Sequence, residues 1–241
     1  MPKIVTVGFL LVFCAVFFDS VQGHGLLIDP PNRSSLWRFF SYLPVNYNDN
    51  QNFCGGFGVQ WYQNEGKCGV CGDNYADPQP RNNENTGTYG NGVVTAQYLA
   101  GSILNVTVLL TANHLGYFTY SICALKDPNA HEPEECFVDL PLIDGTYKHS
   151  VDSEVNIYVN QIQLPANLTC DRCVLRWHYN TGNSWGFCNN GTSGIGCGPQ
   201  EVFRSCSDIS VIESDENYDG KVVENFNVIS SKLNAVANSL R

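Results

Sequence analysis

Positive charge is scarce in this chain. Its 241 residues carry 13 Lys and Arg against 23 Asp and Glu, a formal net charge of -10 at pH 7, which argues against nucleic acid and other polyanions as partners. Long apolar runs are scarce as well. The one sizeable run, Ile4 to Phe18, falls short of the roughly 20 residues that a spanning helix needs, so no membrane span is expected. Helical periodicity is almost absent before the C-terminus, which turns attention to β structure. Acidic residues are plentiful, yet no pair of them stands in a distinctive motif, and a hydrolase built on two carboxylates is disfavoured.

The N-terminus reads as a signal peptide over residues 1–23. Lys3, the apolar run, and Val21 and Gly23 at the cleavage positions fit that pattern. The expected product is secreted and extracellular, begins with His24-Gly25, and keeps a net charge of -10 because only Lys3 and Asp19 are lost. Of 11 cysteines, Cys14 lies in the leader, which leaves ten in a chain addressed to an oxidising compartment. Five disulfides are the expectation. Cys68/Cys71 and Cys170/Cys173 have the CxxC spacing of zinc or redox sites, a reading ranked second in a secreted protein. Asn32, Asn105, Asn167 and Asn190 open N-glycosylation sequons, Asn32 being the least suited because it lies near the new terminus.

Residues 24–212 read as one domain and 213–241 as a tail. Within the domain, β-branched and aromatic segments at Ile103–Ala112, Tyr117–Ala124, Val155–Leu164, Cys173–Tyr179 and Glu201–Ile209 alternate with Gly, Pro and Asn. They predict an all-β antiparallel sandwich. Asp73–Gly92 reads as a long loop shaped by nearby disulfides. Trp177 and Trp185, both set among cysteines, are expected to be buried. The runs around His131-Glu132 and Glu134-Glu135 are expected to form an exposed charged loop. The tail is an acidic linker, ESDENYDG, followed by Phe226, Ile229, Leu233, Val236 and Leu240. That alternating spacing of three and four predicts a short amphipathic helix, packing back on the domain or fraying in preference to forming a partner-binding or self-associating seam.

Among five histidines, His24 is singled out by processing. Cleavage after Gly23 gives one residue both a free amine and an imidazole. His114 stands in LLTANHLGYF, where a β-branched run meets a Gly turn, a place from which a side chain projects. Two imidazoles and one amine make three nitrogen donors, a set that favours copper over zinc. An amine with a pKa near ~7.7–8 must shed its proton to bind, so affinity falls with pH.

The segments HGLLIDPPNRSSLWR, NYNDNQNFCGG, KCGVCGD, TANHLGYF, EECF, LTCDRCVLRWHY, GNSWG and CGPQEVFRSCSDI together resemble family fifteen of the auxiliary-activity lytic polysaccharide monooxygenases, over His24 to about Ile212. The resemblance implies an immunoglobulin-like β-sandwich with long disulfide-stapled loops and a flat copper face. It implies a histidine brace in which His24 (amine and Nδ1) and His114 (Nε2) hold one copper ion, with Phe203 at the axial position. It further implies an external electron donor, O2 or H2O2 as co-substrate, and oxidative cleavage, at C1, of insoluble chitin or cellulose. Strand alternation adds Ala112 beside His114 and Glu201 beside Phe203, the first leaving space for oxygen and the second orienting the oxidant. Trp37, Phe39, Phe40, Tyr42 and Tyr47 cluster after the terminus, and Tyr47 is chosen as the aromatic that meets sugar. A monomer is expected. The alternatives from other classes are a non-catalytic chitin- or cellulose-binding protein and an extracellular copper carrier.

Overall fold

The computed structural model describes residues 24–213. The leader, the start of the tail at Ser214 and the apolar stripe Phe226–Leu240 lie outside the described residues. Among the described residues, eleven strands carry the fold. They are β1 (His24–Asp29), β2 (Ala96–Leu99), β3 (Ile103–Ala112), β4 (Tyr117–Ala124), β5 (Val138–Leu140), β6 (His149–Ser150), β7 (Ile157–Gln163), β8 (Cys170–Asn180), β9 (Trp185–Phe187), β10 (Ser193–Ile195) and β11 (Val202–Ile212). One sheet has the order β1-β3-β7, the other β2-β11-β8-β4-β5 with β6 on β4, and β9 and β10 form a separate two-stranded ribbon. No helix among the described residues is long and apolar enough to cross a membrane.

Alternation builds the core. In β3, Leu104, Val106, Val108 and Leu110 are buried while Ile103 and Asn105 face out. From the facing sheet, Phe118, Tyr120, Ile122, Leu175, Trp177, Tyr179, Phe203 and Ile209 meet them in one cluster, the two inner faces of a sandwich. Pairing is antiparallel except between β2 and β11, which run parallel. More than a hundred residues separate those two strands, so no short turn dictates their direction.

β11 departs from the half-polar pattern expected of a surface sheet, because it is buried along nearly its whole length. Its outer face is covered by the long loop. Cys206 is bonded to Cys71, and Asp208 accepts two hydrogen bonds, each 2.8 Å, from the Arg33 guanidinium in the short 3-10 turn Arg33–Arg38. Arg33 also donates to Glu132 at 2.6 Å and to the Asn83 carbonyl at 3.0 Å, while Glu132 accepts the Asn85 N–H at 2.9 Å. Burial alone would lower the Arg33 pKa, but Asp208 and Glu132 reverse that and hold it above its ordinary value. Glu132 is therefore not part of an exposed charged loop: it is fully buried and pins the loop to the sandwich. Glu134 and Glu135 are exposed as expected, Glu134 pairing with Arg176 at 2.8 Å and Arg204 at 3.0 Å.

All five disulfides form: Cys54–Cys68, Cys71–Cys206, Cys123–Cys136, Cys170–Cys173 and Cys188–Cys197. One CxxC pair closes on itself, and the other sends its cysteines to separate partners, which leaves no dithiol for zinc. Of the sequons, Asn105, Asn167 and Asn190 are exposed. Asn32 is buried, with its amide donating to the Leu27 carbonyl at 2.7 Å, and has no room for a glycan.

Candidate metal centre

The antiparallel course brings the start of β1, the end of β3, the start of β4, the end of β8 and the start of β11 to one end of the sandwich. His24 opens β1 and pairs in register with Ala112, the last residue of β3. Two residues on, His114 lies in the turn to β4. Its N–H donates to the Tyr179 hydroxyl at 3.0 Å, and its carbonyl accepts the Gly182 N–H at 2.8 Å. His114 is thus fixed on both sides by residues at the β8 exit.

Among the described residues, three ring nitrogens here, His24 Nε2 and His114 Nδ1 and Nε2, are buried without a hydrogen-bond partner. Buried polar atoms are seldom left so. Burial lowers the pKa of both histidines, and a charge on His24 would lower that of His114 further. Neutral imidazoles with free lone pairs, close enough to repel when protonated, are what a metal requires of its ligands. The residues present therefore suit a nitrogen-ligated ion.

The other candidates surround this pair. Glu201, buried just before β11, has Oε2 3.9 Å from His114 Nδ1, and its carbonyl accepts the Thr181 N–H at 3.0 Å. Phe203 is fully buried, stacked between Phe53 (centroids 6.2 Å apart) and Tyr179 (5.8 Å). Ala112, half-buried, lies across from His24 as well as near His114. Tyr47 is 82% exposed and meets Trp37 edge-on at 5.5 Å. Its loop is tied to the same end by Asn50, whose carbonyl accepts the Gly25 N–H at 3.1 Å and whose amide donates to Thr111 Oγ1 at 2.9 Å.

Trp177 is fully buried, as expected, but Trp185 is 62% exposed. Among the described residues the β9–β10 ribbon pairs with no other strand, so the face that bears Trp185 has no second layer to bury it against. Trp185 and Phe187, two residues apart, share a face of the ribbon with Ile195, which pairs with Trp185. The two rings meet at 5.5 Å, and Phe187 and Ile195 are 75% and 71% exposed. The ribbon is stapled by Cys188–Cys197 and rises from Ser184, two residues past the Gly182 that binds the His114 carbonyl. Sequence reasoning missed this apolar ridge. Two cysteines nine positions apart around a Gly-rich tip, flanked by aromatics, were the available signal. It also missed Gly25, whose hydrogen faces Leu110 and the Trp177 ring, and Tyr179 as the anchor of His114.

Residues 24–209 match the family model described as lytic polysaccharide mono-oxygenase, cellulose-degrading. Among solved structures, the chain is similar to a lytic polysaccharide monooxygenase AA15 from Thermobia domestica in the Cu(I) state. They share 46% identity, with 78% of this chain and 98% of that one covered and a TM-score of 0.76. An AA10 lytic polysaccharide monooxygenase from Streptomyces lividans matches at 13% identity, 78% and 99% coverage and a TM-score of 0.49, too remote to bear on function. Among curated proteins none matches.

Proposed function

Because the chain belongs to the lytic polysaccharide monooxygenases of auxiliary-activity family fifteen, copper-dependent enzymes that oxidise polysaccharide, we propose that it is secreted and processed after Gly23. We further propose that it acts as a monomer on crystalline chitin or cellulose, chitin first, with oxidation at C1. The observation that carries the site assignment is His114, whose two ring nitrogens are both buried and unpartnered with the His24 ring close beside it. With the amine freed by processing, His24 Nδ1 and His114 Nε2 would hold a single copper ion. Bound there, copper supplies one-electron redox chemistry toward O2 or H2O2, the electrons coming from an external reductant.

The chain's own residues shape that chemistry. Lowered histidine pKa values keep both rings neutral near pH 7, ready to donate lone pairs. Tyr179 and Gly182 hold the His114 backbone, and Asn50 holds the His24-Gly25 strand, so the two rings keep a fixed spacing. Phe203 offers an apolar wall with no ligand atom. Ala112 leaves space opposite His24, and Glu201 sits where it can hold His114 Nδ1 and hydrogen-bond a small co-substrate. Tyr47 and the Trp185, Phe187 and Ile195 ridge present exposed apolar side chains from two loops at this end, suited to stacking on sugar faces. Hydroxylation of the C1 carbon then lets the glycosidic bond break by elimination, without a carboxylate pair.

The test is mass spectrometry of soluble products from the copper-loaded chain beginning at His24, incubated with β-chitin and with cellulose, each with and without ascorbate. Ascorbate-dependent aldonic acid oligosaccharides are expected, and none from His114→Ala, which should keep its fold. Retained activity in that variant would overturn the brace.

A further inference from the structure

The end of the sandwich farthest from His114 carries a groove of about 1000 Å3 that the metal centre does not use. It runs between the end of β4, the loop from Leu125 to Val138 and the turn at Pro165–Leu168, and its walls are largely apolar: Ile122, Leu125, Pro133, Val138, Pro165 and Leu168. Val138 is 61% exposed. Lys126, Asp127, His131 and Glu135 stand among these apolar side chains, an apolar floor with a charged rim that fits one face of an amphipathic segment.

The described chain leaves the fold beside this groove. Glu213 lines a neighbouring cavity with Ala166, Asn167 and Thr169, and Asn167 also lines the groove. Beyond Glu213 the sequence continues with the acidic stretch and then the stripe Phe226, Ile229, Leu233, Val236 and Leu240. As a helix, that stripe would lie on one side and span about 21 Å. The dozen residues between Ser214 and Asn225 reach ~40 Å when extended, ample for a site whose rim adjoins Glu213.

We propose that residues 226–240 dock their apolar stripe into this groove of the same chain. A tethered segment meets its site at an effective concentration in the millimolar range, which a second copy does not reach at ordinary dilution. The groove walls include a loop held by turn hydrogen bonds such as Ala130 N–H to the Asp127 carbonyl (3.2 Å) and Phe137 N–H to the Glu134 carbonyl (3.2 Å), together with the Cys123–Cys136 disulfide. Docking would therefore brace a segment with few strand bonds of its own and leave the metal end untouched.

Hydrogen exchange on the full secreted chain at micromolar concentration tests this. Ile229→Asp/Leu233→Asp should speed exchange of the amides in 125–138 at least tenfold while those of β3 and β11 are unchanged. Val138→Asp, made on the groove side, should speed exchange of 226–240 by a similar factor. Wild-type rates at 125–138 in the double variant would overturn the proposal. So would protection of the groove that disappears on dilution, which assigns it to a second copy, or that disappears on enzymatic removal of a glycan from Asn167 with the tail intact.

Discussion

Gly25→Ala is the smallest change that should disturb the metal centre, and its size is set by the packing behind His24. A Cβ at position 25 would lie 2.6 Å from Leu110 Cδ2, 3.1 Å from Trp177 Cη2 and 3.4 Å from the Leu109 carbonyl oxygen. The nearest atom ends a side chain, which would make the clash mild at a surface. Here, however, Leu110 and Trp177 are buried in the main core, so neither can retreat without displacing others. Overpacking of this kind costs about 1–3 kcal/mol. The alternative is for β1 to lift away from β3, which strains the Gly25 N–H to Asn50 carbonyl bond and moves His24 relative to His114. Urea denaturation of the metal-free protein should show an unfolding free energy lowered by about 1–3 kcal/mol, as a lower midpoint at unchanged slope. Calorimetric titration should show copper affinity down by about tenfold, or about 1.4 kcal/mol. Adding Leu110→Ala to Gly25→Ala should cost less than the two single changes together, because it opens the space that the methyl needs. Stability within about 0.5 kcal/mol of wild type with unaltered copper affinity would refute the claim that this contact sets the position of His24.

Three further outcomes are expected. Tyr179→Phe removes the acceptor of the buried His114 N–H and should lower stability by about 1–3 kcal/mol and weaken copper binding, read by thermal melting and titration; a full-affinity variant would show that His114 needs no such anchor. Glu132→Ala leaves the buried Asn85 N–H without its acceptor and Arg33 with only Asp208 and the Asn83 carbonyl, and should cost about 1–3 kcal/mol in chemical denaturation, whereas a loss below about 0.5 kcal/mol would mean that the triad is already relaxed by water. Burial, then Arg204 and Arg176, holds the His178 pKa well below 6.5, so the unfolded chain takes up the proton first as pH falls through about 6.5, and stability drops with falling pH. Asp73, raised to about 6 by burial, has the opposite sign, since the folded chain takes up its proton first. His178→Gln should therefore lose less stability than wild type between pH 7 and 5, and Asp73→Asn more; parallel pH profiles would refute both assignments.

How much of the fold is legible in the sequence depends on the range of the forces involved. β3 and β4 have the limits expected, Ile103–Ala112 and Tyr117–Ala124, because alternation and the flanking Gly are local signals. β1 was not expected. Leu26 and Ile28 pack on an outer cluster with Leu109 while Leu27 enters the core, so alternation is erased by burial on both faces. Disulfide partners such as Cys71 and Cys206, 135 residues apart, leave no local trace. Nor does the Glu132–Arg33 pair. A carboxylate in an acidic run is ordinarily solvated, and only the arrival of Arg33 from 99 residues away offsets the cost of burying it.

The two tryptophans show most sharply what a sequence window omits. Trp177 and Trp185 both stand near cysteines and aromatics, and each lies in a strand. Trp177 is in β8, with β11 on one side and β4 on the other and a second sheet facing it, so its ring has a floor and two walls. Trp185 is in a ribbon of two strands, and the face that carries its ring meets solvent. Burial is thus decided by how many strands the chain later supplies, a number set by pairings that reach across the whole domain. The same count separates their surroundings: the buried ring packs behind Gly25, next to His24, and the exposed one lies on the surface proposed above to meet polysaccharide. Trp185→Ala with Phe187→Ala should accordingly weaken binding to β-chitin or cellulose severalfold without lowering the melting temperature, because neither ring contributes to the core. A matching loss of stability would place those rings in a packed layer and remove them from the contact surface.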